Sequence, residues 1–170
     1  MKPPKKLDAE GLMNFAGRIL ARRAQSLNEL RTRLRQRAER IEDVAEVISR
    51  LKQSGLLDDR QFADSFARGQ KENRGFGKAR VMRDLMARRV APAVAKQAAE
   101  ATYAEADEVE LIENFLQRKY RGKDLAQLLG EENQLAAVYR RLRTAGFTAS
   151  NTLRVLNSYN RRADELEEMD

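Results

Sequence analysis

A chain of 170 residues suffices for one domain or a short array of small units, with 42% hydrophobic residues to build a core and 35% charged residues that demand solvated surface. Cysteine and histidine are both absent, which excludes a disulfide framework, a cysteine-based metal site and the usual nucleophile–base pairs. Net charge is +7 and uneven: residues 1–103 carry +10 and residues 104–170 carry −3. That asymmetry points one end of the chain at a polyanion or an acidic protein surface, against the plainer reading of a charge-rich helical protein with no such partner.

Residues 1–8 form a basic N-terminal tail, and no apolar run follows Lys5-Lys6. No signal peptide and no membrane span are expected, and the missing cysteines fit a reducing cytoplasm. Leu12, Phe15, Ala16, Ile19 and Leu20 recur at helical spacing and predict a first helix from Asp8 to about Gln25. Ser26 and Glu29 make a capping box that opens a second helix, with Leu27, Leu30, Leu34 and Ala38 on one stripe. Arg31, Arg33, Arg35, Arg37 and Arg40 occupy its other faces. A third helix carries Val44, Val47, Ile48 and Leu51, has Glu42 and Asp43 in its first turn, and stops at Ser54-Gly55.

The same plan then repeats. A helix bearing Phe62 and Phe66 runs from Leu57-Asp58-Asp59 to about Asn73, and a loop of two glycines around Phe76 follows. Next come a helix with Val81, Met82, Leu85 and Met86, and an alanine-rich helix from Pro92 to Tyr103. In the third round Val109, Ile112, Phe115 and Leu116 line a helix from about Ala106 to Tyr120. Residues 121–131 form a longer connection, and Leu135, Val138, Tyr139 and Leu142 line a helix ending at Ala145-Gly146. Ser150 or Asn151 caps a last helix with Leu153, Leu156 and Tyr159 inward. Leu34, Leu85 and Leu142 occupy equivalent places about 50 residues apart, a spacing that signals stacked repeats. The expected architecture is all-α: nine helices in three tandem three-helix repeats, forming an elongated, curved array. The repeats span 9–57, 58–104 and 105–160, with an acidic tail at 161–170.

No catalytic constellation emerges, neither a P-loop nor a dinucleotide-binding glycine fingerprint. Asp58 and Asp59 are adjacent on a helix and point apart, so they suit capping better than holding the metal of a nuclease. The run Glu105, Asp107, Glu108, Glu110 and Glu113 lacks calcium-loop spacing and is read as a solvated face. No cofactor, metal or catalytic residue is expected. Arg74-Gly75-Phe76-Gly77-Lys78-Ala79-Arg80 is open to two readings: a helix connector with Phe76 tucked inward, or a loop presenting cations to a partner. The basic residues predict an electrostatic, sequence-tolerant contact, and on their own do not separate a DNA backbone from an acidic protein groove.

Two phrases carry a resemblance. Gly55-Leu56-Leu57-Asp58-Asp59-Arg60-Gln61-Phe62-Ala63, followed by Ala67-Arg68, and Arg74 to Arg80, followed by Leu85, are similar to the signature of the RecX family, small bacterial modulators of the RecA recombinase. Ala21-Arg22-Arg23-Ala24-Gln25-Ser26-Leu27-Asn28-Glu29-Leu30 resembles the family's Arg-x-x-Ser-x-x-Glu-Leu phrase. Two departures occur: Ala38-Glu39 stands where members often carry a glycine and an aromatic, and the connection from Gly122 to Gly130 is lengthened. The resemblance implies a tandem three-helix-repeat fold that binds in the groove of the RecA–DNA filament and suppresses ATP hydrolysis and strand exchange. On that reading the expected contacts are Arg68, Arg74, Lys78, Arg80 and Arg83, with Arg22, Arg33 and Arg37 from the first repeat. A monomer is expected. The alternative is a sequence-nonspecific DNA-binding protein, on single- or double-stranded DNA, acting through a basic helical surface.

Overall fold

The computed structural model describes residues 5–160 and residue 163. Among these residues ten α-helices follow one another: α1 Ala9–Arg22, α2 Leu27–Arg37, α3 Ile41–Gln53, α4 Asp59–Gly69, α5 Lys78–Ala87, α6 Pro92–Tyr103, α7 Glu108–Lys119, α8 Leu125–Gly130, α9 Glu132–Ala145 and α10 Ala149–Tyr159. Among the described residues there is no β-strand, so the chain is all-α as its periodicity predicts. A bridge joins Leu7 to Ala38, with Leu7 N–H donating to the Arg37 carbonyl at 2.8 Å and Glu39 N–H to the Leu7 carbonyl at 2.9 Å. The acidic tail beyond Ala163 and the first four residues lie outside the described residues.

Three local details differ from the periodicity. The 121–131 connection contains α8, capped by Asp124, whose carboxylate accepts from Ala126 and Gln127 N–H; Leu129 on this short helix is fully buried. Thr148, rather than Ser150 or Asn151, caps α10 by accepting from Asn151 N–H. And α4 ends in one π turn, Gln70–Arg74, closed by Gly75 at φ +66°.

The contacts gather into two compact units, residues 1–66 with 84–98 and residues 67–83 with 99–170. In the first, Leu12 and Ala16 of α1, Leu30 and Leu34 of α2, and Val44, Val47 and Leu51 of α3 form a core. In the second, Ile112 and Leu116 of α7, Leu135, Val138 and Leu142 of α9, and Leu156 of α10 close around Leu129 and Phe147. Leu34, Leu85 and Leu142, the leucines that mark the repeat in sequence, are each fully buried. Burying a leucine side chain contributes about 2 kcal/mol each, which is why the apolar stripes, rather than intrinsic propensity, fix these helices.

The capping box at α2 is present. Ser26 Oγ accepts from Glu29 N–H, and Glu29 Oε2 accepts from Ser26 N–H at 3.1 Å. Two partners distant in sequence complete it. Asp59 Oδ1 accepts from Leu27 N–H at 2.6 Å, so a carboxylate of α4 satisfies a free donor at the start of α2. Arg88 holds Glu29 through two hydrogen bonds, Nε to Oε1 at 2.5 Å and Nη2 to Oε2 at 3.0 Å, while its guanidinium lies 5.0 Å from the Phe62 ring and 5.5 Å from the Phe66 ring. Burial works to raise the Glu29 pKa; the bonds from Arg88 and from Ser26 N–H, with the charges of Arg88 and Arg23, outweigh it and leave this carboxyl below its ordinary value.

Candidate functional site

Cations converge in the first unit. A groove of about 380 Å³ runs between α1 and α2, walled by Arg18, Arg22 and Arg23 on one side and Arg33 and Arg37 on the other. Phe15 and Ile19 supply its apolar lining. The sequence dictates the arrangement. Arg18 and Arg22 are four apart on α1, and Arg33 and Arg37 are four apart on α2, so each pair shares a helix face. Packing the apolar stripes of the two helices sets those faces side by side. Among the described residues no carboxylate lines the groove. Glu29 comes within 3.7 Å of Arg23, whose side chain remains 57% exposed. Arg37 is half-buried: it lies 5.0 Å over the Phe15 ring and donates to the Lys5 carbonyl at 3.2 Å. A stacked, hydrogen-bonded guanidinium has little freedom left to lose when it meets an anion. Arg22 and Arg33 are exposed.

Of the expected contacts, the structure therefore brings Arg22, Arg33 and Arg37 into one groove and adds Arg18 and Arg23, which the sequence reading did not single out. The signal for Arg18 was its four-residue spacing to Arg22.

The other expected contacts belong to the second unit and are built differently. The loop is held from outside. Arg118 Nη1 and Nη2 donate to the carbonyls of Glu72 at 3.2 Å and Asn73 at 2.8 Å, satisfying acceptors at the end of the π turn. Lys71 Nζ donates to the Thr102 carbonyl at 2.9 Å and sits 5.3 Å from the Tyr103 ring. The Tyr103 hydroxyl donates to the Phe76 carbonyl, and burial holds its pKa well above the ordinary phenol value.

The two glycines of the loop have separate reasons. Gly75 supplies the left-handed turn. Gly77 instead permits close approach: an added Cβ would stand 2.4 Å from the Gly146 carbonyl oxygen, and Gly77 N–H donates to the Ala145 carbonyl at 2.8 Å. Phe76 packs against the second core as a partly buried ring, with the Arg80 guanidinium 5.1 Å above it. Arg80 and Arg83 both donate to the Thr144 carbonyl, at 3.4 and 3.0 Å. Arg68, Arg74 and Lys78 are exposed.

Asp58, Asp59 and Glu108 have structural partners. Asp58 Oδ1 accepts from Arg60 and Gln61 N–H at 2.8 and 3.1 Å, capping α4, and Asp59 caps α2 as described. Glu108, read from sequence as part of a solvated face, accepts from Thr148 N–H and Asn151 Nδ2 at 3.1 and 2.6 Å and so ties α7 to the start of α10. Among the described residues no three Asp, Glu, Cys or His side chains gather where they could hold a metal ion. No described helix is long and apolar enough to cross a membrane.

This architecture has close counterparts. A family model described as the second three-helix domain of RecX matches residues 58–98. The regulatory protein RecX of Pseudomonas putida is 34% identical over 105 residues, which span 62% of this chain and 72% of that protein. The regulatory protein RecX of Trichlorobacter lovleyi is 28% identical over 130 residues, or 76% of this chain and 83% of that one. The crystal structure of RecX from Lactobacillus salivarius matches 92% of this chain and 97% of its own with a TM-score of 0.61 at 18% identity, a likeness of fold. The fold, the matched middle helices and the Pseudomonas relative agree: the chain belongs to the RecX family of regulatory proteins.

Proposed function

We propose that this protein is a non-catalytic modulator of the RecA recombinase, binding in the groove of the RecA–DNA filament in the cytoplasm and suppressing ATP hydrolysis and strand exchange. The observation that carries the reading, beside family membership, is the groove of five arginines with no carboxylate among the described residues of its lining. Guanidinium forks on neighbouring helices, of which Arg23 alone has an ion pair with a carboxylate among the described residues, suit a surface rich in carboxylate or phosphate, and a nucleoprotein filament offers both. Arg68, Arg74 and Lys78 add exposed cations in the second unit. Several weak contacts along a repeating partner sum through avidity, so no single cation has to dominate. The match over 58–98 supports reading residues 58–104 as the second of three repeats.

The test is RecA ATPase activity on single-stranded DNA. Stoichiometric excess of this protein suppresses the rate, and Arg22→Ala/Arg33→Ala/Arg37→Ala raises the half-inhibitory concentration at least roughly tenfold, about 1.4 kcal/mol, with helicity unchanged. Absence of inhibition by the unaltered protein would overturn the reading. Full inhibition by the triple variant would remove the groove from it.

A further inference from the structure

The second unit contains a basic pocket that the expected contacts touch only at Arg80. It has a volume of about 420 Å³ and is formed by Phe76 and Phe115, with Arg80, Lys119, Arg140 and Arg141 around them. Its floor is aromatic. Both rings are partly buried against the second core, and Phe115 meets Phe147 edge-on at 5.8 Å between centroids. Its rim is cationic and partly preset. Arg80 lies over Phe76, and Arg141 lies 5.7 Å over the Tyr120 ring and donates to the Tyr120 hydroxyl at 2.8 Å. Lys119 and Arg140 are exposed, and among the described residues no carboxylate lines the pocket.

We propose that this pocket binds a single strand of nucleic acid, with a base against the Phe76–Phe115 floor and the neighbouring phosphates on Lys119, Arg140 and Arg141. The chemistry of the lining selects the ligand. A single strand alternates a flat π face with a phosphate, and the pocket sets aromatic rings beside cations. A duplex keeps its base faces stacked inside and can use only the rim. An acidic peptide also satisfies the rim, but its carboxylates have no use for the aromatic floor. Base recognition here is by stacking, so it tolerates any sequence. The inference stands apart from the filament reading, because the contact forms on bare strands without recombinase.

The experiment is fluorescence anisotropy of the full chain with labelled oligothymidylate, an abasic strand of equal length and a duplex, each titrated with salt. Oligothymidylate binds roughly tenfold more tightly than the abasic strand, the gain expected from one stacked base. Lys119→Ala/Arg140→Ala, at two exposed positions, lowers the slope of log affinity against log salt by about 1.4, two phosphates at ~0.7 each. Arg121→Ala/Arg154→Ala changes net charge equally outside the pocket and leaves most of the slope in place. Equal binding of the abasic strand overturns the proposal. So does an equal loss of slope in the two double variants, which would mean a diffuse field. So does polyglutamate binding more tightly than oligothymidylate in a manner sensitive to Lys119→Ala/Arg140→Ala, which would make the occupant an acidic protein segment. The recombinase ATPase assay reads the filament proposal separately, so either can fail while the other stands.

Discussion

Gly77 shows how a residue chosen for one apparent reason can serve another. In the sequence it looks like half of a turn, yet its constraint comes from Gly146, whose carbonyl oxygen occupies the space a side chain would need. The relation is mutual, since a Cβ on Gly146 would stand 2.3 Å from the Arg80 backbone nitrogen. Backbone atoms cannot swing away as a flexible side chain can. Gly77→Ala should therefore cost about 1–3 kcal/mol, the usual penalty of overpacking. Gly17 is the opposite case. It lies within α1, and a Cβ there meets nothing within 4 Å. Gly17→Ala should stabilise by about 0.5–1 kcal/mol, because alanine loses less backbone freedom in a helix. Urea denaturation of both variants measures the contrast; equal effects, or a neutral Gly77→Ala, would contradict the close-approach account.

At the scale of elements, the cap of α2 is legible locally, whereas the cap of α10 falls to Thr148 rather than to Ser150 or Asn151. Ser26 and Glu29 lie three apart, so their capping box is visible in four letters. The Arg88 and Asp59 partners of that same cap are not visible, because tertiary packing brings them in from distant helices. The short α8 escaped for a different reason: six residues are too few for periodicity to register, though Asp124 was a usable cap signal. Glu108 escaped because Thr148 and Asn151 reach it from another helix.

The shared cap at α2 has a pH consequence with a definite sign. The Glu29 carboxyl holds its proton less tightly folded than unfolded, so its contribution is fully present above the unfolded carboxylate value of about 4.3. It fades as pH falls through the lower folded value. Glu29→Gln should cost about 1–2 kcal/mol near neutrality, the worth of charge-assisted hydrogen bonds at a part-buried site. The gap to the unaltered protein should narrow in acid, as denaturant midpoints at pH ~7 and ~3 would reveal. A gap independent of pH would mean that the carboxylate charge plays no part in the cap.

For the whole molecule, charge and site have to be counted by compact unit rather than by position along the chain. By position the first 103 residues hold the excess; by unit, residues 1–66 with 84–98 hold 17 Lys/Arg against 11 Asp/Glu, and residues 67–83 with 99–170 hold 16 against 15. The near-neutral unit nevertheless contains a basic pocket with no carboxylate among the described residues of its lining, and Glu108 and Asp124 are engaged at helix starts instead. Net charge thus made the arginine groove of the first unit legible and hid the pocket of the second. Phe76, Phe115 and Arg140 come from three separate parts of the chain, and no linear pattern joins them. Two explanations of a polyanion contact then differ in outcome. If the overall +7 field attracts the partner, removing any three exposed cations weakens the proposed inhibition of RecA equally, and raising salt removes the difference from the unaltered protein. If the α1–α2 groove is the contact, Arg22→Ala/Arg33→Ala/Arg37→Ala raises the half-inhibitory concentration far more than Arg121→Ala/Lys123→Ala/Arg154→Ala does, though both lower net charge by the same amount. The groove account also predicts that the first variant loses most of its salt sensitivity between about 50 and 200 mM, since the charges that release counterions are gone. Comparable losses in the two variants at both salt concentrations would assign the effect to the field and leave the groove without a partner.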